Sequence, residues 1–452
     1  METAKSKKTL APRVEMPCQP AEVRRNNFDE VALGYTREMA MQEAARCLQC
    51  KKPLCMSGCP VEVPIRDFIA QVAQGNIDAA YRIIKSTNSL PAVCGRVCPQ
   101  ENQCEGKCVL GAKGQPVAIG RLERFVADSH IAATACEQLT GSNACAVPQT
   151  AKKVACIGSG PASLTCAGVC AAAGLKVDVF EALHEAGGVL IYGIPAFRLP
   201  KSVVATEVNG LREAGVDFHL NRVGGRTLDV AELRKEFDAI FIGVGAGLPV
   251  FLGVPGENLV GVFSAYEYLT RVNLGRAYDF PRQDTPAFPG RHVTVFGAGN
   301  VAMDAARTAL RMGAESVHIV YRRTMAEMPA RREEIEHAEE EGVQFAMLAA
   351  PLHFNDDDEM RLTSVTLQKM ELGEPDASGR RRPVPVEGAV YDLPTDLAIV
   401  ALGTRSNPIL LDATPDLVKN SRGYIEVDAQ TGETSIPNVF AGGDIVTGAA
   451  TV

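Results

Sequence analysis

Residues 153–163 read Lys153-Val-Ala-Cys-Ile-Gly158-Ser-Gly160-Pro161-Ala-Ser163, and residues 292–302 read His292-Val-Thr-Val-Phe-Gly297-Ala298-Gly299-Asn300-Val301-Ala302. Each is a short apolar strand, a Gly-x-Gly turn and the opening of a helix. In such a turn the first glycine permits the tight bend and the second lets backbone N–H groups approach a pyrophosphate. The helix N-terminus then favours its charge. The first turn leads into an alanine-rich helix, Ala162 to Ala173, and then a strand, Val177 to Phe180, that ends at Glu181. An acid at that spacing can hold a ribose hydroxyl. The third fingerprint position is Ser163 rather than Gly or Ala, which still leaves a small side chain.

The second turn has the same context: a helix, Met303 to Met312, and a strand, Val317 to Tyr321. The acid is missing, and Arg322 and Arg323 stand in its place. Guanidinium groups there pair with a 2′-phosphate, which favours NADP(H) over NAD(H). The bland alternative is a solvated pair of arginines at a strand end. Each unit has a later partner strand, Asp238 to Gly245 for the first and Asp396 to Gly403 for the second. The chain therefore holds a divergent internal repeat of two Rossmann-type units. The stretch Thr434-Ser-Ile-Pro-Asn-Val-Phe-Ala-Gly-Gly443-Asp444 looks like the late flavin-binding element of two-dinucleotide flavoproteins. It returns to the first unit, which assigns FAD there and makes the NADP(H) domain an insertion in the FAD domain.

Ahead of both units lie two cysteine runs, Cys47-x2-Cys50-x4-Cys55-x3-Cys59-Pro60 and Cys94-x3-Cys98-Pro99-x4-Cys104-x3-Cys108. Cubane [4Fe–4S] clusters take three thiolates from one short run and a fourth from elsewhere. Zinc sites prefer paired knuckles with four ligands each, which these spacings fit poorly. Around the runs, Phe68-Ile69-x2-Val72 and Ala79-Ala80-x2-Ile83-Ile84 have helical spacing, with a break at Gly75-Asn76. Cys166 and Cys170 fall one turn apart on the first Rossmann helix, where small residues serve packing. Cys18, Cys136, Cys145 and Cys156 show no ligand spacing, and no cysteine follows Cys170. A redox-active dithiol late in the fold is therefore not expected.

The expected fold class is α/β with an N-terminal all-helical iron–sulfur domain and two Rossmann-type dinucleotide-binding domains. Expected boundaries are 1–149 for the helical domain with two [4Fe–4S] clusters, 150–285 and 405–452 for the FAD domain, and 286–404 for the NADP(H) domain. Gly141 to Thr150 is the expected linker. The polar segment Asn355 to Gly388 reads as surface turns and a hairpin, and Glu327 with the helix Arg331 to Glu341 as a charged outer face. A net charge of −8 argues against nucleic-acid binding. Met1 to Arg13 carries no apolar signal core and no run reaches 18 apolar residues, so neither secretion nor membrane insertion is expected. A reducing, cytoplasmic compartment suits the cysteine usage.

The chain resembles the small subunit of NADPH-dependent glutamate synthase and its relatives. These include the N-terminal half of dihydropyrimidine dehydrogenase and the large subunit of the electron-bifurcating NADH-dependent ferredoxin:NADP oxidoreductase. The resemblance rests on Arg46-Cys-Leu-Gln-Cys50, Cys94-Gly-Arg-Val-Cys-Pro99, Gly187-Gly188-Val-Leu-Ile-Tyr-Gly-Ile-Pro-Ala-Phe-Arg198-Leu-Pro-Lys201, Val320-Tyr-Arg-Arg-Thr324 and Phe440-Ala-Gly-Gly-Asp444. It implies that Cys47, Cys50, Cys55 and Cys108 hold one cluster. It gives Cys59, Cys98 and Cys104 to the other, with Glu123 as fourth ligand and Cys94 as a non-ligand. For FAD it implies Gly158, Gly160, Pro161, Glu181, Gly188, Arg198, Gly443 and Asp444. For NADP(H) it implies Gly297, Ala298, Gly299, Asn300, Val301, Arg322, Arg323 and Gly403. In the family, the Gly-Asp element runs on into a helix that caps the flavin pyrophosphate; this sequence ends at Val452.

The expected activity is an NADP(H)-dependent FAD/iron–sulfur oxidoreductase, with NADP(H) as substrate and no side-chain acid or base required. The clusters need an outlet, so a second redox subunit is expected. An NAD-binding flavoprotein would make an electron-bifurcating transhydrogenase with ferredoxin, the reading that Ala401-Leu-Gly-Thr-Arg-Ser-Asn-Pro408 favours. A large amidotransferase partner would make glutamate synthase instead. A non-catalytic redox sensor or scaffold is the alternative of another class.

Overall fold

The computed structural model describes residues 11–137, 152–375 and 381–452. The expected linker, most of Met1 to Arg13, Cys145 and the side chain of Cys136 lie outside the described residues. Two compact units emerge, one taking 11–19, 31–137 and 451–452, the other 20–30 and 152–450.

The first unit is helical. Its main helices are Arg37–Ala44, Ile65–Ala73, Ile77–Lys85, Pro91–Val97 and Ile119–Glu137. Ile65, Phe68, Ile69 and Val72 fall on one face of their helix and are buried together with Ile84, Leu122 and Val126. Burial of each such side chain contributes roughly 1.5–3 kcal/mol. Gly75, at φ +76°, turns the chain between the two nine-residue helices, where the sequence places the break. Glu43 is fully buried and ties the entry of the chain to the last helix. Its carboxylate accepts from Val14 N and Ala118 N, both at 2.8 Å, and from Arg46.

Among the described residues the second unit runs through fifteen strands: β1 Lys153–Ile157, β2 Lys176–Phe180, β3 Val216–His219, β4 Ala239–Ile242, β5 Leu248–Pro249, β6 Val262–Ser264, β7 His292–Phe296, β8 Ser316–Tyr321, β9 Gln344–Met347, β10 Ala349–Asp356, β11 Leu362–Pro375, β12 Arg381–Pro394, β13 Leu397–Val400, β14 Thr404–Arg405 and β15 Val439–Ala441. Two five-stranded sheets result, in the orders β15-β4-β1-β2-β3 and β6-β13-β7-β8-β9. Every pairing in them is parallel. Their central strands are buried apolar runs (Val154–Ile157, Val293–Phe296, Leu397–Val400), as strands covered by helices on both faces must be. The chain leaves the first sheet after β4, builds the second, and returns through β15, so one Rossmann-type half is inserted in the other. Val262–Ser264 already pairs with β13, so the second sheet draws in a strand upstream of residue 286. The short ribbon β5–β14 accompanies both crossings.

The segment Asn355 to Gly388 contributes to a three-stranded antiparallel sheet, β10-β11-β12, whose long hairpin is exposed along its outer half. The helix Arg332–Glu341 departs from expectation. Arg332, Glu336, Glu339 and Glu340 do form an exposed charged face, but Glu334 and Glu341 on the opposite side are 6% and 0% exposed. Charge composition alone cannot reveal burial when the partners are arginines far away in sequence.

Candidate cofactor sites

The two dinucleotide turns superimpose in their bonding. Gly158 N donates to Phe180 O at 2.7 Å and Gly297 N to Val320 O at 3.2 Å, so each turn is pinned to the end of the next strand. Gly243 N donates to Ile157 O and Ala401 N to Phe296 O, at 2.9 and 2.8 Å. A side chain at Gly158 would lie 2.5 Å from Gly243 O, and one at Gly297 2.4 Å from Ala401 O. Both glycines have positive φ, +95° and +132°, so each is required twice over, by conformation and by space. Gly160 and Gly299, by contrast, face open space and stand at the N-caps of helices Pro161–Ala172 and Asn300–Arg311. That open backbone ahead of a helix N-terminus is what a pyrophosphate needs.

Around the first turn, Gly187 and Gly188 close in. Gly187 N donates to Ser159 Oγ at 2.9 Å, and a side chain at Gly188 would meet Gly160 Cα at 2.8 Å. Glu181 is buried at the end of β2. Its Oε2 accepts from Ser159 N at 2.9 Å and from Ser159 Oγ at 2.5 Å, and its Oε1 from Leu183 N at 2.8 Å. The acid expected from spacing thus also braces the turn. Gly443 packs on Ala162 of the first helix, where an added Cβ would be 2.8 Å from the alanine methyl. Asp444 follows it, its carboxyl pushed up by burial. The late Gly-Asp element is therefore brought to the first turn and not the second. Tyr192 and Tyr266, with ring centroids 4.8 Å apart, stand within electrostatic reach of Glu181, and Tyr192 also of Asp444. Tyr192 falls within the Gly187 to Lys201 motif, but nothing in the sequence marks either tyrosine as a site residue. Arg198 is placed differently from the glycines: its guanidinium is buried between Asp304 and Glu334 of the other half.

At the second turn, Ala298 O accepts from Ala330 N, and Asn300 Oδ1 from Arg331 N at 2.9 Å. Val301 is exposed on the helix, and Gly403 has φ +99° with open space beside it. The two arginines after β8 part company. Arg322 is exposed, with no hydrogen bond or ion pair among the described residues, whereas Arg323 is buried and its Nε donates to Arg381 O of the hairpin at 2.9 Å. Glu327 forms a capping box with Thr324, accepting from its N at 3.0 Å and its Oγ1 at 2.6 Å.

In the helical unit the two cysteine runs are pressed together, because a side chain at Gly58 would lie 2.7 Å from Gln103 O. Cys47, Cys50, Cys55 and Cys108 all line one cavity, whose other walls include Leu48, Leu54, Val109, Leu110 and Val117, with Arg66 and Lys107 alongside. Burial pushes the Cys55 thiol up to about 11, with Cys108 and Cys47 adding to the shift, and burial also raises Cys47. Such thiols favour the protonated form until a cation supplies positive charge. Among the described residues no three His, Cys, Asp or Glu side chains gather closely enough to share a single metal ion. Four thiols around one cavity supply the kind of donor set an iron–sulfur cluster takes.

Of the second expected set, Cys59 and Cys104 lie around Glu123, whereas Cys98 is placed against Cys94, the expected non-ligand. The Glu123 carboxyl lies within electrostatic reach of Cys59, Cys94 and Cys104, and burial pushes it up to about 7 against the lowering bond from Asn88. Cys94 lies against Cys98, and its Sγ contacts Asn88 Oδ1 at 3.6 Å. No motif or spacing singles out Asn88 as a site residue. No helix among the described residues is long and apolar enough to cross a membrane.

Residues 152–452 match the family described as pyridine nucleotide-disulphide oxidoreductase, and residues 24–135 match dihydropyrimidine dehydrogenase domain II, 4Fe-4S cluster. The glutamate synthase [NADPH] small chain of Azospirillum brasilense is 38% identical, over 96% of this chain and 90% of its own length. The small chain of the Escherichia coli enzyme is 37% identical, over 96% and 92%. The chain spans only 67% and 65% of two further E. coli relatives, UacF and AegA. Among solved structures, Mycobacterium tuberculosis FprA in complex with NADPH superimposes with a TM-score of 0.55 over 67% of this chain and 80% of that one. At 22% identity this likeness shows the fold alone.

Proposed function

The chain belongs to the glutamate synthase small-chain family and, over its last two thirds, to the pyridine nucleotide-disulphide oxidoreductase family, and on that premise we propose that it is an electron-input subunit. It is an NADP(H)-dependent FAD/iron–sulfur oxidoreductase, and its reducing equivalents leave through a partner subunit. The observation that carries this reading is the cavity lined by Cys47, Cys50, Cys55 and Cys108 in a chain with two dinucleotide turns. When bound, FAD supplies hydride exchange with nicotinamide and the [4Fe–4S] clusters supply one-electron transfer.

The residues have separable tasks. Gly158, Gly160, Pro161 and Gly188 offer backbone close to the FAD pyrophosphate, and Glu181 offers a carboxylate to its ribose. Gly443 and Asp444 close the flavin end. Gly297, Ala298, Gly299, Asn300 and Val301 form the NADP(H) turn with Gly403 beside it, and Arg322 offers an exposed guanidinium to the 2′-phosphate. Cys47, Cys50, Cys55 and Cys108 hold one cluster; Cys59, Cys98, Cys104 and Glu123 hold a second. No side chain is assigned as acid or base.

Coverage of 90% of a small chain favours a glutamate synthase-type partner. A second reading, a bifurcating transhydrogenase with an NAD-binding flavoprotein and ferredoxin, rests on the Ala401 to Pro408 stretch. Anaerobic purification from the native host separates them. Roughly eight iron atoms and one FAD per chain with a large glutamine-dependent partner support the first. A small NAD-binding flavoprotein supports the second, and zinc in place of iron overturns both. FAD and clusters without NADPH-dependent dye reduction would leave a redox sensor.

A further inference from the structure

Arg198 belongs to the loop that follows the Gly187-Gly188 turn of the first dinucleotide half, yet among the described residues its ion-pair partners, Asp304 and Glu334, are in the second. Its Nη1 donates to Asp304 Oδ2 and Oδ1 at 2.7 and 2.9 Å, and its Nε to Glu334 Oε1 at 3.0 Å. The three side chains are 6%, 4% and 7% exposed. Asp304 stands on the helix that opens at the second turn. Glu334 stands on the next helix, whose N-cap residue Arg331 is bonded to Asn300 in that same turn.

The pairing continues inward. Glu334 also binds Arg307, Arg307 binds Glu341 at 2.7 Å, and Glu341 binds Arg311 at 2.6 Å and Arg24 at 2.9 Å. Phe197, the neighbour of Arg198, lies under the guanidinium groups of Arg311 and Arg307, 4.0 and 4.7 Å from its ring centroid. A buried ionic network is a poor source of stability, since well-packed apolar residues of the same volume often do as well. What it does supply is discrimination. A slipped arrangement of the halves leaves buried charges unpaired, which is costly, whereas apolar surfaces tolerate sliding.

We propose that Arg198 is a positioning residue that locks the two dinucleotide halves in one register through Asp304 and Glu334. The inference rests on the reading that NADP(H) and FAD exchange a hydride in this chain. Such a transfer needs reacting atoms about 3–3.5 Å apart, and a misplacement of about 1 Å costs about 10²-fold in rate. Arg198 acts through the helices that carry the second turn and is not assigned to touch either cofactor.

The test compares the full-length holoprotein with R198M, R198K and D304N. The readouts are FAD content, NADP⁺ affinity, the single-turnover rate of flavin bleaching by NADPH, and amide hydrogen exchange over residues 300–311. The expected result for R198M is flavin bleaching slowed about 10²-fold with FAD content and NADP⁺ affinity near native. Exchange over 300–311 should rise, R198K should recover part of the rate, and R198M with D304N together should lose little more than either alone. Native bleaching in R198M overturns the proposal. So does loss of FAD from R198M with native bleaching in the fraction that keeps it, which would make Arg198 a flavin ligand. If R198M does not fold, D304N carries the same rate and exchange expectations. If wild-type flavin is not bleached by NADPH, the underlying reading fails, and unchanged exchange in the variants then sinks the register claim separately.

Discussion

Asn88 Nδ2 donates to Glu123 Oε1 at 2.7 Å, and both residues are buried in the helical unit. The same amide's Oδ1 accepts from Leu90 N at 2.9 Å, so one side chain links the acid to the start of helix Pro91–Val97. A carboxylate has about four lone-pair sites, and this one finds a single hydrogen-bond donor among the described residues. An acid so buried, in reach of Cys59 and Cys104, matches the proposed ligand role.

Replacing Glu123 with Ala should therefore remove or alter one cluster and leave the other. Iron content and low-temperature electron paramagnetic resonance of the reduced protein check this. Native iron and native spectra would exclude Glu123 as a ligand.

The two arginines after β8 should behave differently. Arg322→Ala should raise KM for NADPH about ten-fold or more and leave NADH use almost unchanged, because a charged hydrogen bond is worth about 1.5–3 kcal/mol. Arg323→Ala should act mainly on stability, since Arg323 supports the hairpin through Arg381 O. Steady-state kinetics with both nucleotides, alongside melting curves, separate the two effects. An unchanged NADPH/NADH preference in R322A would remove its assignment to the 2′-phosphate.

Gly188→Ala should abolish FAD retention. The residue has φ +55°, and its Cβ would lie 2.8 Å from Gly160 Cα, with backbone on both sides and no flexible side chain to yield. Flavin absorbance of the purified variant after gel filtration reads the outcome, and a native FAD ratio would show that the two turns can separate without consequence.

Acid should unfold the second unit through its buried carboxylates. Burial pushes the Glu334 and Glu341 carboxyls up, but the arginines around them outweigh it and hold both down at about 2, against an ordinary value of 4.5. The folded pKa is depressed, so the stabilisation is complete above about pH 4.5. It falls progressively as pH drops from there towards 2, where the unfolded chain binds more protons than the folded one. Urea unfolding midpoints between pH 6 and 3 should fall more steeply in the wild type than in Glu341→Gln. That variant loses stability at neutral pH because Arg307, Arg311 and Arg24 lose a charged partner. Parallel slopes in the two proteins would contradict the assignment.

The strand–turn–helix repeats were legible because they are local. A glycine that must have positive φ, a small residue that must let a helix pack and an acid at the next strand end all sit within about thirty residues. Both turns, Glu181 and the cysteine spacing could be read that way. The roles of Ser159, Asn88, Tyr192 and Tyr266 could not, since a single polar or aromatic residue has no periodicity to betray it. The helix Arg332–Glu341 misled for the converse reason. Two of its acids, Glu334 and Glu341, look as solvated as Glu336 and Glu339 until Arg24, Arg198, Arg307 and Arg311 arrive from elsewhere in the chain.

By itself the sequence determined the two Rossmann-type halves, the return of the chain to the first of them and the clustering of eight thiols, because backbone conformation and short-range spacing are written residue by residue. Only the tertiary structure decided how deeply Glu334 and Glu341 are buried, which of two adjacent arginines stays exposed, and that Arg198 faces Asp304 more than one hundred positions away. Burial and charge pairing are properties of the packed chain. They take their values only when distant segments exclude water from the same space.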